Sequence, residues 1–265
     1  MRWNLSATRH AANRADAIFI SFPKSGRTWF RMFWSAYWCH RAGRDSQLDP
    51  AGIEGMPSVF FTHDRWEHLT EVSFSKRILG QYLLPAAAAA KTPKLLLARD
   101  PRDVIVSLYF HLTKRGERKR LVKPASLKEL VRDPEFGVAM VVRLLNDWNT
   151  EWGATTSFRI MRYEQARAEP ESAMREWFAY CGIATPDPAA FSHALAFSDF
   201  DAVREREKGG GFRNKLLSAR DVSDPESFKA RRGVVGGFSD YLDADDIAFC
   251  NVEMAKLAPV FGYRA

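Results

Sequence analysis

The sequence predicts a single α/β domain with a central parallel sheet flanked by helices, and three observations carry that prediction. Short apolar runs alternate with segments of helical periodicity, the pattern of strands joined by helical crossovers. Three of the runs empty into polar residues, at Lys24 to Thr28, at His63 and at Arg99, and in a parallel sheet such strand ends share one edge. A length of 265 residues with 46% hydrophobic content is enough for one sizeable core.

Taken in order, residues 1–16 read as an N-terminal extension, and the run Ile18-Phe19-Ile20-Ser21 as the first strand. The loop that follows opens a helix at Thr28; Trp29, Phe30, Met32, Phe33, Ala36 and Tyr37 recur at helical spacing, and Gly43 supplies a stop. Residues 43–57 form a connecting loop. Val59 to Thr62 is a short strand ending at His63-Asp64, and residues 65–84 are helical or mixed. Lys94 to Arg99 is a third strand, with Asp100 as N-cap and Pro101 in the first turn of the helix carrying Val104 to Leu112. Glu135 to Trp152 predicts a long helix, Phe158 to Arg162 a strand, and Met174 to Cys181 and Asp187 to Phe197 two more helices. Residues 208–237 are polar and glycine-rich, which predicts a mobile lid, and Ala244 to Leu257 closes the chain as an amphipathic helix. There is no internal repeat.

Composition narrows the partners. Net charge is +7 and pI near 9.4, which favours anionic ligands. Cys39, Cys181 and Cys250 are far apart and lack metal-ligand spacing, so neither a disulfide framework nor a zinc site is indicated. Met1 to Ala17 has no apolar core of signal-peptide length, and the most apolar run elsewhere, Tyr82 to Ala90, is too short to cross a bilayer. A cytoplasmic location without a transmembrane segment is the expectation. Lys114 to Lys123 holds six basic residues and one acidic residue and reads first as a solvated face.

The loop Phe22-Pro23-Lys24-Ser25-Gly26-Arg27-Thr28-Trp29 carries the chemistry. The first N–H groups of a helix lack intrahelical partners, Lys24 and Arg27 flank them, and Gly26 lets the backbone approach closely, so an anion such as phosphate fits there. The order differs from the Walker A pattern, since Lys24 and Ser25 precede Gly26, and no Gly-Lys-Ser or Gly-Lys-Thr occurs anywhere.

That loop closely resembles the 5′-phosphosulfate loop of the sulfotransferase family, whose sulfuryl donor is 3′-phosphoadenosine-5′-phosphosulfate. Ala98-Arg99-Asp100-Pro101-Arg102-Asp103-Val104-Ile105-Val106-Ser107 resembles the family's 3′-phosphate motif, with Arg99 and Ser107 at the binding positions. The alternative for Arg99, Arg102 and Asp103 is a set of surface ion pairs. Arg231-Arg232-Gly233-Val234-Val235-Gly236-Gly237 resembles the basic-Gly-x-x-Gly stretch that wraps the same phosphate, although Phe238 and Ser239 stand where the family has Trp and Lys. Trp29 matches the loop Trp that stacks on the adenine; Tyr163, Ser198 and Phe200 match further base contacts. The likeness runs from Ile18 to Tyr241 and is strongest at its three motifs.

The resemblance implies the P-loop-kinase-like sulfotransferase fold and metal-free, in-line sulfuryl transfer. Lys24 would neutralise the leaving group; Ser25, Gly26, Arg27 and Thr28 would hold the 5′-phosphate, and Arg231, Arg232 and Gly233 part of the 3′-phosphate site. His63 would be the general base, at a position where relatives continue His-Leu-Pro and this chain continues with Asp64 and Arg65, either of which changes its surroundings; Asp64 is a second candidate base and His111 a competitor. The acceptor is a small molecule, lipid or carbohydrate with a hydroxyl or amine, and no specific nucleic-acid partner is expected. Ser239 to Ala248 lacks the dimer motif of cytosolic relatives, which leaves the oligomeric state open. Two other functions fit parts of the sequence: a nucleotide-kinase-like phosphotransferase, and a basic module binding nucleic acid or anionic lipid.

Overall fold

The computed structural model describes residues 7–70, 73–84, 91–115, 124–210 and 221–264. Most of the basic segment 114–123 and the middle of the expected lid, residues 211–220, lie outside the described residues. Four parallel strands, β1 (Ala17–Ser21), β2 (Val59–Thr62), β3 (Lys94–Ala98) and β4 (Phe158–Arg162), lie in the order β2-β1-β3-β4. The register pairs Ile20 with Thr62, Ser21 with Leu97 and Ala98 with Arg162, so the four carboxyl ends are level. Every residue that follows one of them arrives at the same edge.

Strand side chains alternate between faces, and the core divides accordingly. Ile18, Ile20, Leu96 and Ala98 join one cluster with Val104, Leu108, Val141, Leu145, Trp148 and Met254. These come from helices Pro101–Phe110, Val138–Trp152 and Ala244–Met254. Ala17, Phe19, Leu95 and Leu97 join a second cluster with Phe30, Phe33, Tyr37, Trp177, Phe178 and Phe191. Here helix Arg27–Arg41 packs on helices Pro170–Tyr180 and Pro188–Ser198, with Tyr37 and Phe178 rings 4.6 Å apart and Phe33 and Phe191 rings 5.1 Å apart. Tyr37 also accepts the Asp187 N–H through its hydroxyl at 2.9 Å. That packing carries Ser198, at the far end of its helix, to the carboxyl edge of the sheet.

Local chemistry sets the helix ends. Asp100 accepts the Arg102 N–H with Pro101 in the first turn, as its position predicts. The helix expected from Glu135 begins at Val138 instead, because one oxygen of Asp133 accepts the N–H groups of both Glu135 and Phe136 and holds them in a turn. Residues 65–84 resolve into two short helices, Arg65–Thr70 and Phe74–Ile78. The stretch before β1 carries helix Ala7–Arg14, whose Ala12 is buried in the core. A helix over Phe200–Lys208 was not foreseen. Among the described residues, no helix is long and apolar enough to cross a membrane.

Candidate active site

The loop after β1 is shaped by two residues with positive φ, Lys24 at 75° and Gly26 at 105°. Phe22, buried against Trp66 with ring centres 4.6 Å apart, anchors its start. Gly26 caps the helix that begins at Arg27, one residue ahead of the expected start, and no side chain satisfies the first N–H groups. A Cβ on Gly26 would lie 2.7 Å from the Tyr163 ring, so glycine is required by conformation and by space. Ser25 is buried, and its Oγ has no hydrogen-bond partner among the described residues. A buried hydroxyl in that state, inside an N-terminal nest of amides, fits an anion held by the loop.

His63 follows β2 beside this loop and is buried. Its Nδ1 lies 2.7 Å from the Ser21 carbonyl, which can only accept, so Nδ1 carries the hydrogen and the neutral ring's lone pair sits on Nε2. Glu67 accepts the His63 N–H and the Thr62 hydroxyl and pairs with Arg27 at 3.7 Å, tying the phosphate loop to the second strand end. Asp64 faces the interior: one carboxylate oxygen accepts the Leu84 N–H at 2.6 Å, the other the Trp148 indole N–H at 2.9 Å.

At the third strand end, Arg99 donates to the Lys24 carbonyl at 3.0 Å, lies 4.4 Å over the Tyr163 ring and pairs with Asp103 at 3.6 Å. Asp103 is buried, not a surface partner, and its two oxygens accept the N–H groups of Gly236 and Phe238 at 2.9 and 3.0 Å. It thereby clamps the downstream glycine arm onto the second motif. Arg102 also has a structural bond set, forking onto Asp100 and reaching Asn251. Buried Glu207 holds the start of the arm, accepting the N–H groups of Lys229 and Ala230 and a bond from Arg115. Gly233, at φ 64°, lies flat against Phe200, whose ring would be 2.6 Å from an added Cβ. Arg231 is held by Glu226 and the Tyr241 hydroxyl, and Arg232 by Asp240 and the same hydroxyl.

One cavity of about 350 Å³ collects these groups. Lys24, Gly26, Arg27, Thr28 and Trp29 line it from the loop, and His63, Arg99 and Ser107 from the next two strand ends. Tyr163, Ser198 and Phe200 line it after β4, and Arg231, Arg232 and Gly233 from the arm. Of the residues expected to touch the donor, Ser25 is absent from the lining, and of the candidate bases Asp64 is absent as well. The Ser198 hydroxyl donates to the Ala194 carbonyl at 2.8 Å, leaving its oxygen as an acceptor. Arg31, Met32, Leu48, His111, Arg167 and Lys229 also line the cavity. Of these, His111 was named from the sequence as a competing base, and Arg31 and Met32 were legible in principle, since they share a helical face with Thr28. No group of three or more His, Cys, Asp or Glu side chains suited to a metal ion occurs among the described residues.

Residues 14–256 match the sulfotransferase domain family. Sulfotransferase 2A2 of Rattus norvegicus is 21% identical over 96% of this chain and 88% of that protein. Cytosolic sulfotransferase 13 of Arabidopsis thaliana is 22% identical over 87% and 73%. Among solved structures, mouse sulfotransferase SULT7A1 complexed with PAP superposes with a TM-score of 0.57 at 13% identity, covering 96% of this chain and 89% of that one. Retinol dehydratase in complex with androsterone and inactive cofactor PAP gives 0.57 at 14% identity, covering 94% and 83%. With the domain match spanning nearly the whole chain, the protein belongs to the sulfotransferase family and is a sulfotransferase enzyme.

Proposed function

We propose that this enzyme moves the sulfuryl group of 3′-phosphoadenosine-5′-phosphosulfate to a hydroxyl or amine of a small-molecule, lipid or carbohydrate acceptor by in-line transfer. The observation that carries the proposal is the convergence of three sequence-distant anion motifs on one cavity that also contains His63. The buried Ser25 hydroxyl and the helix N-terminus at Gly26, which no side chain caps, fit a 5′-phosphate. When bound, the donor supplies an activated sulfuryl group and a phosphate leaving group.

The chain's residues divide the remaining work. Ser25, Gly26, Arg27 and Thr28 hold the 5′-phosphate, while Arg99, Ser107, Arg231, Arg232 and Gly233 hold the 3′-phosphate with charged bonds and a close backbone approach. Trp29, Tyr163 and Phe200 bear on the base, and the Ser198 oxygen accepts from it. Lys24 balances the negative charge that grows on the departing oxygen. His63 takes the acceptor's proton at Nε2, held in the correct tautomer by the Ser21 carbonyl. Asp64, with both oxygens bonded to Leu84 and Trp148, keeps the turn after β2 in place.

The test is transfer of 35S from labelled donor to a panel of phenols, alcohols and amines. Wild type labels at least one class and Lys24→Ala labels none at comparable rate. Transfer of γ-phosphate from ATP instead, with no sulfur transfer, would assign the cavity to a phosphotransferase.

A further inference from the structure

Arg167 lies four residues after Tyr163 in helix Tyr163–Ala168, so both side chains share a face. Its guanidinium carbon is 5.5 Å from the Trp29 ring centre and 5.4 Å from that of Phe200. Tyr163 meets Trp29 edge-on at 6.3 Å and has Arg99 over its face. Two cations and three rings thus form a continuous wall from the phosphate loop, where Tyr163 covers Gly26, to the arm, where Phe200 covers Gly233. The rings satisfy the guanidinium's charge through their faces, but its N–H donors lie in its own plane and need acceptors. Arg167 Nε is buried and has no acceptor among the described residues, in a side chain that lines the cavity.

We propose that Arg167 is a specificity-determining residue for the base, its in-plane N–H groups donating to a ring nitrogen of adenine seated against Trp29 and Phe200. The proposal rests on the reading of the cavity as the nucleotide-donor site. Arginine offers donors only, whereas the Ser198 oxygen, its proton committed to Ala194, offers an acceptor to the same cavity. A donor and an acceptor lining one cavity complement N7 and the exocyclic amine of adenine; on the same edge guanine presents two acceptors, N7 and O6, and leaves Ser198 unmatched. Arg167 therefore adds affinity for a base that presents a ring acceptor, and Ser198 sets adenine apart from that guanine edge.

Calorimetry with adenosine 3′,5′-bisphosphate, guanosine 3′,5′-bisphosphate and abasic ribose 3,5-bisphosphate tests this. Wild type is expected to prefer the adenosine ligand over the guanosine ligand by about tenfold or more. Arg167→Ala should lower affinity for the adenosine ligand about tenfold and leave the abasic ligand unchanged. Arg167→Lys, which keeps charge but loses the planar fork, should not restore it, and it carries the test if the alanine variant shows no unfolding transition. Equal weakening of the abasic ligand, rescue by lysine, or tighter binding in the alanine variant overturns the proposal. If wild type binds none of the three, the donor-site reading itself fails.

Discussion

Replacing Gly26 by alanine tests how the phosphate loop is built. At φ 105° an L-residue costs about 1–3 kcal/mol in backbone strain. The added methyl would sit 2.7 Å from one Tyr163 ring carbon and 2.8 Å from the next, an overlap that costs about 1–3 kcal/mol more. Together these predict about 2–6 kcal/mol of lost stability, read from urea unfolding of the ligand-free protein. The second contribution disappears when the ring is removed, so a double-mutant cycle with Tyr163→Ala should show a coupling of about 1–3 kcal/mol, the double mutant being less destabilised than the sum. A coupling within about 0.5 kcal/mol of zero would show that the ring does not limit the loop, and a Gly26→Ala loss below about 1 kcal/mol would refute the backbone argument as well.

Other perturbations separate the remaining roles. Lys24→Ala should lower turnover on the order of 10²-fold while leaving donor affinity nearly intact, and a variant with normal turnover removes the leaving-group role. Asp103→Asn keeps one acceptor for the arm's two N–H groups and loses the charge facing Arg99; destabilisation of about 1.5–3 kcal/mol is expected with weaker bisphosphate binding, and unchanged binding would detach the arm from the site. Arg232→Ala should weaken adenosine 3′,5′-bisphosphate about 10- to 100-fold more than adenosine 5′-monophosphate, and equal weakening removes its assignment to the 3′-phosphate. Burial lowers the Lys94 ammonium from 10.5 to about 8. The folded protein thus binds fewer protons than the unfolded chain between those values, and this group's penalty, full below about pH 8, fades as pH rises towards 10.5. The stability difference between wild type and Lys94→Met should therefore shift in favour of wild type across that window, and a pH-independent difference would contradict it.

The sequence made the sheet legible because β1, β2 and β3 are built around short apolar runs and β4 alternates apolar with basic residues; β2 and β4 occupy the expected residues and β3 ends one residue early. The site was legible where chemistry is local, as in the loop from Lys24 to Thr28 and the Asp100-Pro101 helix start. It was illegible where a role depends on partners distant in the chain. Asp103 acts through amides more than 130 residues downstream, at Gly236 and Phe238, and nothing in its neighbourhood marks it. Helix Phe200–Lys208 escaped notice because it buries only Val203 and Glu207 among charged residues, and Glu207 is buried to anchor the arm. Arg167 sits in a short helix whose spacing is uninformative until Trp29 and Phe200 are seen beside it.

The claim that three motifs build one site for a nucleotide with phosphates at both 3′ and 5′ positions is tested most directly by comparing adenosine 3′,5′-bisphosphate, adenosine 5′-monophosphate and magnesium ATP in one calorimetric series. The bisphosphate should bind at least about tenfold more tightly than the monophosphate, since each charged phosphate bond contributes about 1.5–3 kcal/mol, and binding should not require magnesium. Tighter binding of magnesium ATP than of the bisphosphate would contradict the account.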